Sequence, residues 1–328
     1  MQIRKVGGRA YSDPDILSLI DESGGLLDPY SVVRQGVNSL LEQLENFEVT
    51  FNDAFQRVCV LASLAGLQVE PMNVAQAAQE RRDAVLVYAN GNGKKGVIFY
   101  NTNMPTPRVI FSIAHEIVHY FFPTSRVGAR FRAICKEGSK GSRELEMLCH
   151  FGASELAMPS ADFKRAVRRH GFGFASVDAI RQEFGTSFEA CVYRMAETAP
   201  FPAAAGLLKF RRRLSEENAG GPTSGVLFPS KPRTIGAPAR KYRRQSFYYS
   251  ETYPPEFVMP WNKSLPETSC VYRAAKTRAI ESAVEIVPLN GRDKFLACSI
   301  EAFAAPYQPD NADPEWPDVL FLLRVIEH

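Results

Sequence analysis

The sequence predicts an α+β chain, and two patterns carry that reading. Between residues 31 and 197, apolar residues recur at helical spacing, interrupted by one hairpin-like pair of strands. Beyond residue 222 the character changes to short β-rich runs separated by turn residues. With 328 residues, 45% of them hydrophobic, there is apolar material for two or three domains. Three segments are expected: an N-terminal helical segment at 1–66, a core of helices packed on a small sheet with trailing helices at 67–214, and a mainly β C-terminal domain at 222–328.

Residues 1–30 read as turn-rich and partly disordered, with Gly24, Gly25 and Pro29. Val32, Val33, Val37, Leu40, Leu41 and Leu44 then mark an amphipathic helix over 31–46. Phe51, Phe55, Val58, Leu61 and Leu64 mark another over 51–66. Residues 67–71 read as extended and 72–82 as a short helix. Ala84–Tyr88 and Gly96–Asn101 form a predicted hairpin around the strong turn signal at 90–95.

Next comes a helix over 106–123, with Thr106 as its cap, Pro107 in its first turn and Pro123 at its end. His115, Glu116 and His119 lie on it and spell H-E-x-x-H. Histidines four apart on a helix sit about 40° apart around its axis, so both imidazoles face the same way, as two zinc ligands must. Glu116 is placed to take a proton from a water held by such a metal. Almost every other residue of the stretch except Arg108 is apolar, so these polar groups are expected to be buried. A hydrogen-bonded core network is the plainer account of the same residues.

A basic loop with Arg126, Arg130, Arg132 and Lys136 follows, read as solvated surface. A second helix is expected over 143–157, closed by Met158-Pro159, then shorter helices over 160–169, 176–184 and 187–197. Thr186 and Glu189 fit a capping box for the last of these. Residues 215–225 read as a linker. The strand-like runs beyond it are 226–228, 245–250, 269–272, 282–287, 295–300 and 319–326.

A catalytic zinc takes three protein ligands and leaves one position for water. The second helix offers Glu144, Glu146, His150 and Glu155. Glu144 and Glu146 are about 200° apart on the helical wheel, so only one can face the metal. Each lies about 100° from the apolar stripe of Leu145, Cys149, Gly152 and Leu156, so amphipathicity does not choose between them. Glu146 is favoured because it shares its side with His150, and because the small Ala153 and Ala157 there allow close helix approach.

The run Phe111–His119, followed by Glu146–Pro159, resembles the ImmA/IrrE family of zinc metallopeptidases. The resemblance covers about residues 67–200. It implies a zincin-like core, a Zn2+ cofactor and Glu146 as the third ligand beside His115 and His119. Val118 stands where that family often has glycine, and Gly152 where it has larger residues. Some members carry a C-terminal sensor domain resembling GAF domains, and the analogy extends to 222–328. The resemblance also implies a narrow protein substrate, a transcriptional repressor cleaved to release stress-response or mobile-element genes.

The expected activity is zinc-dependent endopeptidase, with Glu116 as the proton acceptor and His150 or Tyr120 as a further donor to the oxyanion; His150 is preferred. Arg108 is read as a structural ion pair before a substrate contact. Val97–Tyr100 is expected to align substrate by edge pairing. The alternative is a DNA-binding or antitoxin-like regulator with a non-catalytic zinc. It would use the helix pair 176–197 and the basic stretch 231–244. A net charge of +3 favours neither nucleic acid nor membrane. Six dispersed cysteines, no signal-peptide pattern and no apolar stretch of about 20 residues point to the cytoplasm.

Overall fold

The computed structural model describes residues 3–6, 8–25, 27–47, 50–73, 83–87, 96–122, 140–213, 240–254, 257–261, 263–288, 295–308 and 313–327. They fall into two compact units: residues 1–162 with 181–187, and residues 163–180 with 188–328. The expected turn at 90–95, the basic loop at 123–136, the linker at 215–225 and the strand at 226–228 lie outside the described residues. So does most of the 72–82 helix; Met72 and Asn73 are not helical.

The first unit begins with a hairpin of β1 (Arg4–Val6) and β2 (Arg9–Tyr11) and continues into α1 (Pro14–Glu22). The sequence reading missed these elements. Asp13 explains α1: its carboxylate accepts the N–H of Asp15 at 2.9 Å and of Ile16 at 3.4 Å. Pro14 opens the helix, which buries Ile16, Leu19 and Ile20. The two expected helices follow as α2 (Pro29–Glu45) and α3 (Ala54–Leu64). Their apolar stripes join the same core as the motif helix, so 1–66 is not a separate body.

A three-stranded sheet follows, made of β3 (Gln68–Pro71), β4 (Ala84–Val87) and β5 (Val97–Tyr100). β5 lies between the other two, parallel to β3 and antiparallel to β4. The expected edge role of Val97–Tyr100 is therefore corrected: both sides of β5 are already paired, and β4 is an outer strand.

The motif helix, α4, spans Thr106–His119. Pro105 rather than Thr106 is its N-cap; the Pro105 carbonyl accepts the first-turn bonds from Arg108 and Val109 at 2.9 and 3.1 Å. The helix ends four residues before Pro123. Tyr120 is its C-cap, and the tight bonds of Tyr120 and Phe121 to Ile117 and Val118 carbonyls close it. α5 (Lys140–Ala157) packs on α4 and α2.

The second unit contains most of α6 (Ser160–His170), the start of α7 (Phe174–Phe184) and all of α8 (Phe188–Glu197). Helix α8 starts one residue later than the capping box required, which puts Ser187 just before it. Glu189 instead accepts the Tyr193 hydroxyl.

A six-stranded antiparallel sheet makes up the rest: β6 (Ala203–Arg211), β7 (Lys241–Arg244), β8 (Tyr248–Tyr249), β9 (Glu281–Pro288), β10 (Phe295–Ala304) and β11 (Val319–Glu327). The order is β7-β6-β11-β10-β9, with β8 also on β6. β6 was not foreseen, and it extends the sheet to residues before 214. The expected strand at 269–272 is instead the start of α9 (Cys270–Thr277). Ser269 caps it, and Arg278 ends it in the left-handed conformation with φ 57°. β-branched Val271 and aromatic Tyr272 look strand-like locally, but both are buried on the inner side of a helix.

One face of the sheet packs Cys298, Ile300 and Phe321 against Cys270, Val271 and Ala274 of α9. On the other, Phe303 meets Phe174 and Phe188 at ring distances of 6.0 and 5.6 Å.

Candidate metal centre

Helix α4 projects His115 and His119 from one side, and α5 presents Glu146 to them. His115 Nε2 and His119 Nε2 are 3.0 Å apart. Glu146 Oε2 is 3.1 Å from His115 Nε2, and Oε1 is 3.5 Å from His119 Nε2. Three donor atoms from two helices therefore converge on one point. Four-coordinate zinc with ligands at about 2.0–2.1 Å requires neighbouring donors about 3.3–3.4 Å apart. The observed separations bracket that value, so the residues fit the metal that the motif implies.

The choice between Glu144 and Glu146 is explained by the N-terminus. Glu144 Oε2 accepts the backbone N–H of Ser12 at 2.9 Å, with the Ser12 hydroxyl at 3.4 Å. Glu146 points to the other side of the helix. Burial pulls its carboxyl upward, but hydrogen bonds from His115 and His119 outweigh this and hold it well below the usual carboxylate range.

Glu116 is buried on α4 and accepts the Leu86 N–H of β4 at 3.1 Å. The bond ties its carboxylate to the strand beside the motif helix.

Cys149 and His150 widen the site. Cys149, fully buried on α5, has its sulfur 3.3 Å from His119 Nδ1. It groups with His115 and His119 as a metal-holding set, and His150 groups with His115 and Glu146. The imidazole geometry separates these roles. His119 meets His115 and Glu146 through Nε2, whereas Cys149 touches the other nitrogen. One ring cannot turn both nitrogens to one ion, so Cys149 supports His119 rather than joining the trio. Sequence reading had placed Cys149 on the apolar stripe; its position three residues after Glu146 was the available signal.

His150 stacks on Phe111 at 5.6 Å and lies 4.8 Å from His115 between ring centroids. Burial, followed by the neighbouring His115 charge, lowers its pKa. Its ring is thus biased toward the neutral form. Tyr120 packs against the unit core beyond the helix end. Arg108 pairs with Asp83 at 2.6 Å, the structural role expected of it.

Residues 63–196 match the model of the peptidase M78 family, described as the IrrE N-terminal-like domain. This segment is similar to the IrrE N-terminal-like domain. It contains all the donors described above, and its family is of metallopeptidase type. A search of the curated proteins gives no significant match. Among solved structures, a Mycobacterium tuberculosis transcriptional regulator is similar in fold, with 12% identity and a TM-score of 0.50, over 95% of this chain and 81% of that one. At that identity the likeness concerns the fold alone. No helix among the described residues is long and apolar enough to cross a membrane.

Proposed function

We propose that the IrrE N-terminal-like domain is a zinc-dependent endopeptidase. The observation that carries this reading is the convergence of His115, His119 and Glu146 at 3.0–3.5 Å, with Glu116 anchored on the same helix. His115, His119 and Glu146 would hold the metal. Zinc, when bound, supplies Lewis acidity that acidifies water and polarises a carbonyl. Glu116 takes the proton from the attacking water and returns it to the leaving amine. Its bond to Leu86 orients the carboxylate for both transfers. His150, held by Phe111, is the candidate donor to the developing oxyanion.

β4 takes over the alignment role first expected of β5. It is the outer strand beside Glu116, and an extended substrate segment can pair with its outer edge at groups other than the Leu86 N–H, which Glu116 already holds. The substrate we propose is a transcriptional repressor, as the family resemblance implies, cut to release stress-response or mobile-element genes. The second unit would act as a sensor of GAF type; a five-strand antiparallel path with its first and last long strands adjacent supports that reading. No disulfide joins any two of the five described cysteines, which suits the cytoplasm.

A DNA-binding regulator with structural zinc has less support. The second helix of the proposed pair, α8, buries Phe188, Cys191, Val192, Arg194, Met195 and Ala196, and only Glu189 is fully exposed. An acidic residue there neutralises no phosphate and is repelled by the backbone charge.

The test is co-expression with candidate repressors, together with metal analysis of the purified chain. About one zinc per chain is expected, with a repressor cut that a chelator stops and added zinc restores. A folded chain without metal, or a cut indifferent to the chelator, overturns the proposal.

A further inference from the structure

Strand β9 ends the large sheet, and among the described residues no strand pairs with its outer side. It runs from Glu281 to Pro288 in unbroken register with β10. Edge strands of soluble proteins are commonly blunted by lysine, an internal proline or a bulge. β9 has no lysine and no bulge, and its proline is its last residue. Val284 is 71% exposed and Ile286 64%, an apolar pair on one face of the strand. The outer side of β9 borders an open groove shared with Pro266, Thr268 and Arg273.

The ladder with β10 fixes which backbone groups face outward. Pro288 stands opposite Phe295 and has no N–H, so that pair does not exchange ladder bonds. Alternation then turns the N–H and C=O of Ile286, Val284 and Ser282 away from β10. The Ser282 carbonyl agrees with this direction, because it accepts Arg273 Nη2 of α9 at 3.4 Å. That long bond leaves the carbonyl a second lone pair. The charges of the strand lie on its other face and are met within the same copy. Glu285 accepts the Cys270 N–H, and Glu281 pairs with Arg273 at 3.3 Å and accepts the Thr277 hydroxyl at 3.1 Å.

We infer that β9 pairs antiparallel with β9 of a second copy of this chain, about a two-fold axis at Val284. Such an axis must pass through a residue whose backbone groups face outward. Centred on Ser282, the overlap is cut to Glu281–Ala283. Centred on Ile286, it sets Pro288 opposite Val284 and loses a donor. Centred on Val284, it runs from Glu281 to Val287. Val284 then meets its own counterpart, Ser282 meets Ile286, Ala283 meets Glu285 and Glu281 meets Val287. No like charges stand opposite each other, so the charge pattern of the strand is complementary to itself. The exposed Val284 and Ile286 of both copies form one apolar strip across the junction. The pairing uses up both open edges at once, and the contact closes on itself. It belongs to the second unit and does not depend on the peptidase reading.

Sedimentation equilibrium of the full chain over about 1–100 μM tests the pairing. The mass should rise with concentration from the 36.5 kDa of one chain toward twice that value. Val284→Lys sets two ammonium groups against each other at the axis and should weaken association at least about tenfold. Cysteine variants read the register. Val284→Cys places two Cα atoms about 5.5 Å apart across the axis, within disulfide reach, so mild oxidation should link the copies. Ile286→Cys places its two thiols four residues apart along the strands, more than about 13 Å, and should not link them. The unsubstituted chain gives the background from its own cysteines. A mass of one chain at every concentration overturns the pairing, and is the result expected if another segment covers the edge. Association unmoved by Val284→Lys overturns it as well. Equal linking by Val284→Cys and Ile286→Cys overturns the two-fold register. Should Val284→Lys fail to fold, the mass of the unsubstituted chain and the two cysteine variants still decide.

Discussion

Glu116 on α4 accepts the backbone N–H of Leu86 on β4 at 3.1 Å, so the proposed proton carrier is fixed by the strand proposed to align substrate. Glu116→Gln preserves an oxygen acceptor for that N–H and leaves His115, His119 and Glu146 untouched. The variant should fold and retain its zinc, with cleavage reduced about 10²–10⁴-fold. Zinc stoichiometry and the cleavage rate on one sample check this; undiminished cleavage removes Glu116 from the mechanism.

The sulfur of Cys149 sits 3.3 Å from His119 Nδ1, the other ring nitrogen from the one that meets Glu146 at 3.5 Å. A thiol accepting that N–H orients the ring and fixes the tautomer whose Nε2 can hold a cation. Cys149→Ala is expected to weaken zinc affinity about 10–100-fold while stoichiometry at saturation stays unchanged. Cobalt substitution tells support from ligation. A strong thiolate charge-transfer band in the wild-type spectrum, lost in Cys149→Ala, would make the sulfur a ligand and contradict the assignment.

Glu144 and Glu146 illustrate how far the sequence was legible. The H-E-x-x-H spacing placed His115, Glu116 and His119 without help, because a helix of known period turns spacing into direction. The acidic pair was symmetric about the apolar stripe, and its decisive partner, Ser12, lies 132 positions away. Local pattern carries no such information. The same holds for α9, whose strand-like residues are overruled by burial, and for β6, where Ala203, Ala204 and Ala205 are weak strand formers selected by close packing in the sheet. Glu144→Ala should cost about 1–2 kcal/mol through the lost Ser12 bonds and leave zinc binding intact. Glu146→Ala should abolish tight zinc binding. Denaturant melts with metal titration separate the two.

Asp13 predicts a pH dependence of stability. Burial raises its pKa from 3.8 to about 6, against hydrogen bonds from Asp15 and Ile16 that pull it down. A raised carboxyl keeps its proton in the folded chain after the unfolded chain has released it. Stability from this group is therefore greatest below pH 4 and is lost as pH rises to about 6, a change of up to roughly 3 kcal/mol. Asp13→Asn retains a capping side chain without the charge. It should be more stable than wild type at pH 7, and the advantage should vanish at pH 4. Equal differences at both pH values in denaturant titrations would refute the account.

Val118 and Gly152 depart together from the family pattern, and the structure joins them. A Cβ on Gly152 would come within 2.7 and 2.8 Å of the Val118 methyls and 2.8 Å of a Val33 methyl. Val118 is fully buried one residue before His119, so its side chain occupies the space that a larger residue at 152 would fill. The two positions share one volume across the α4–α5 contact, where the glycine lets the helices approach closely beside Glu146 and the histidines. Gly152→Ala alone should cost about 1–3 kcal/mol through overpacking, despite the better helix propensity of alanine. Val118→Ala alone should cost a comparable amount through the cavity it leaves. Combined, the two should cost less than their sum by at least about 1 kcal/mol, because the new methyl enters the vacated space. Zinc affinity should follow the same pattern, falling in Gly152→Ala as the helices are forced apart and recovering in the double variant. Strict additivity in both measurements would show that the two positions do not share this volume.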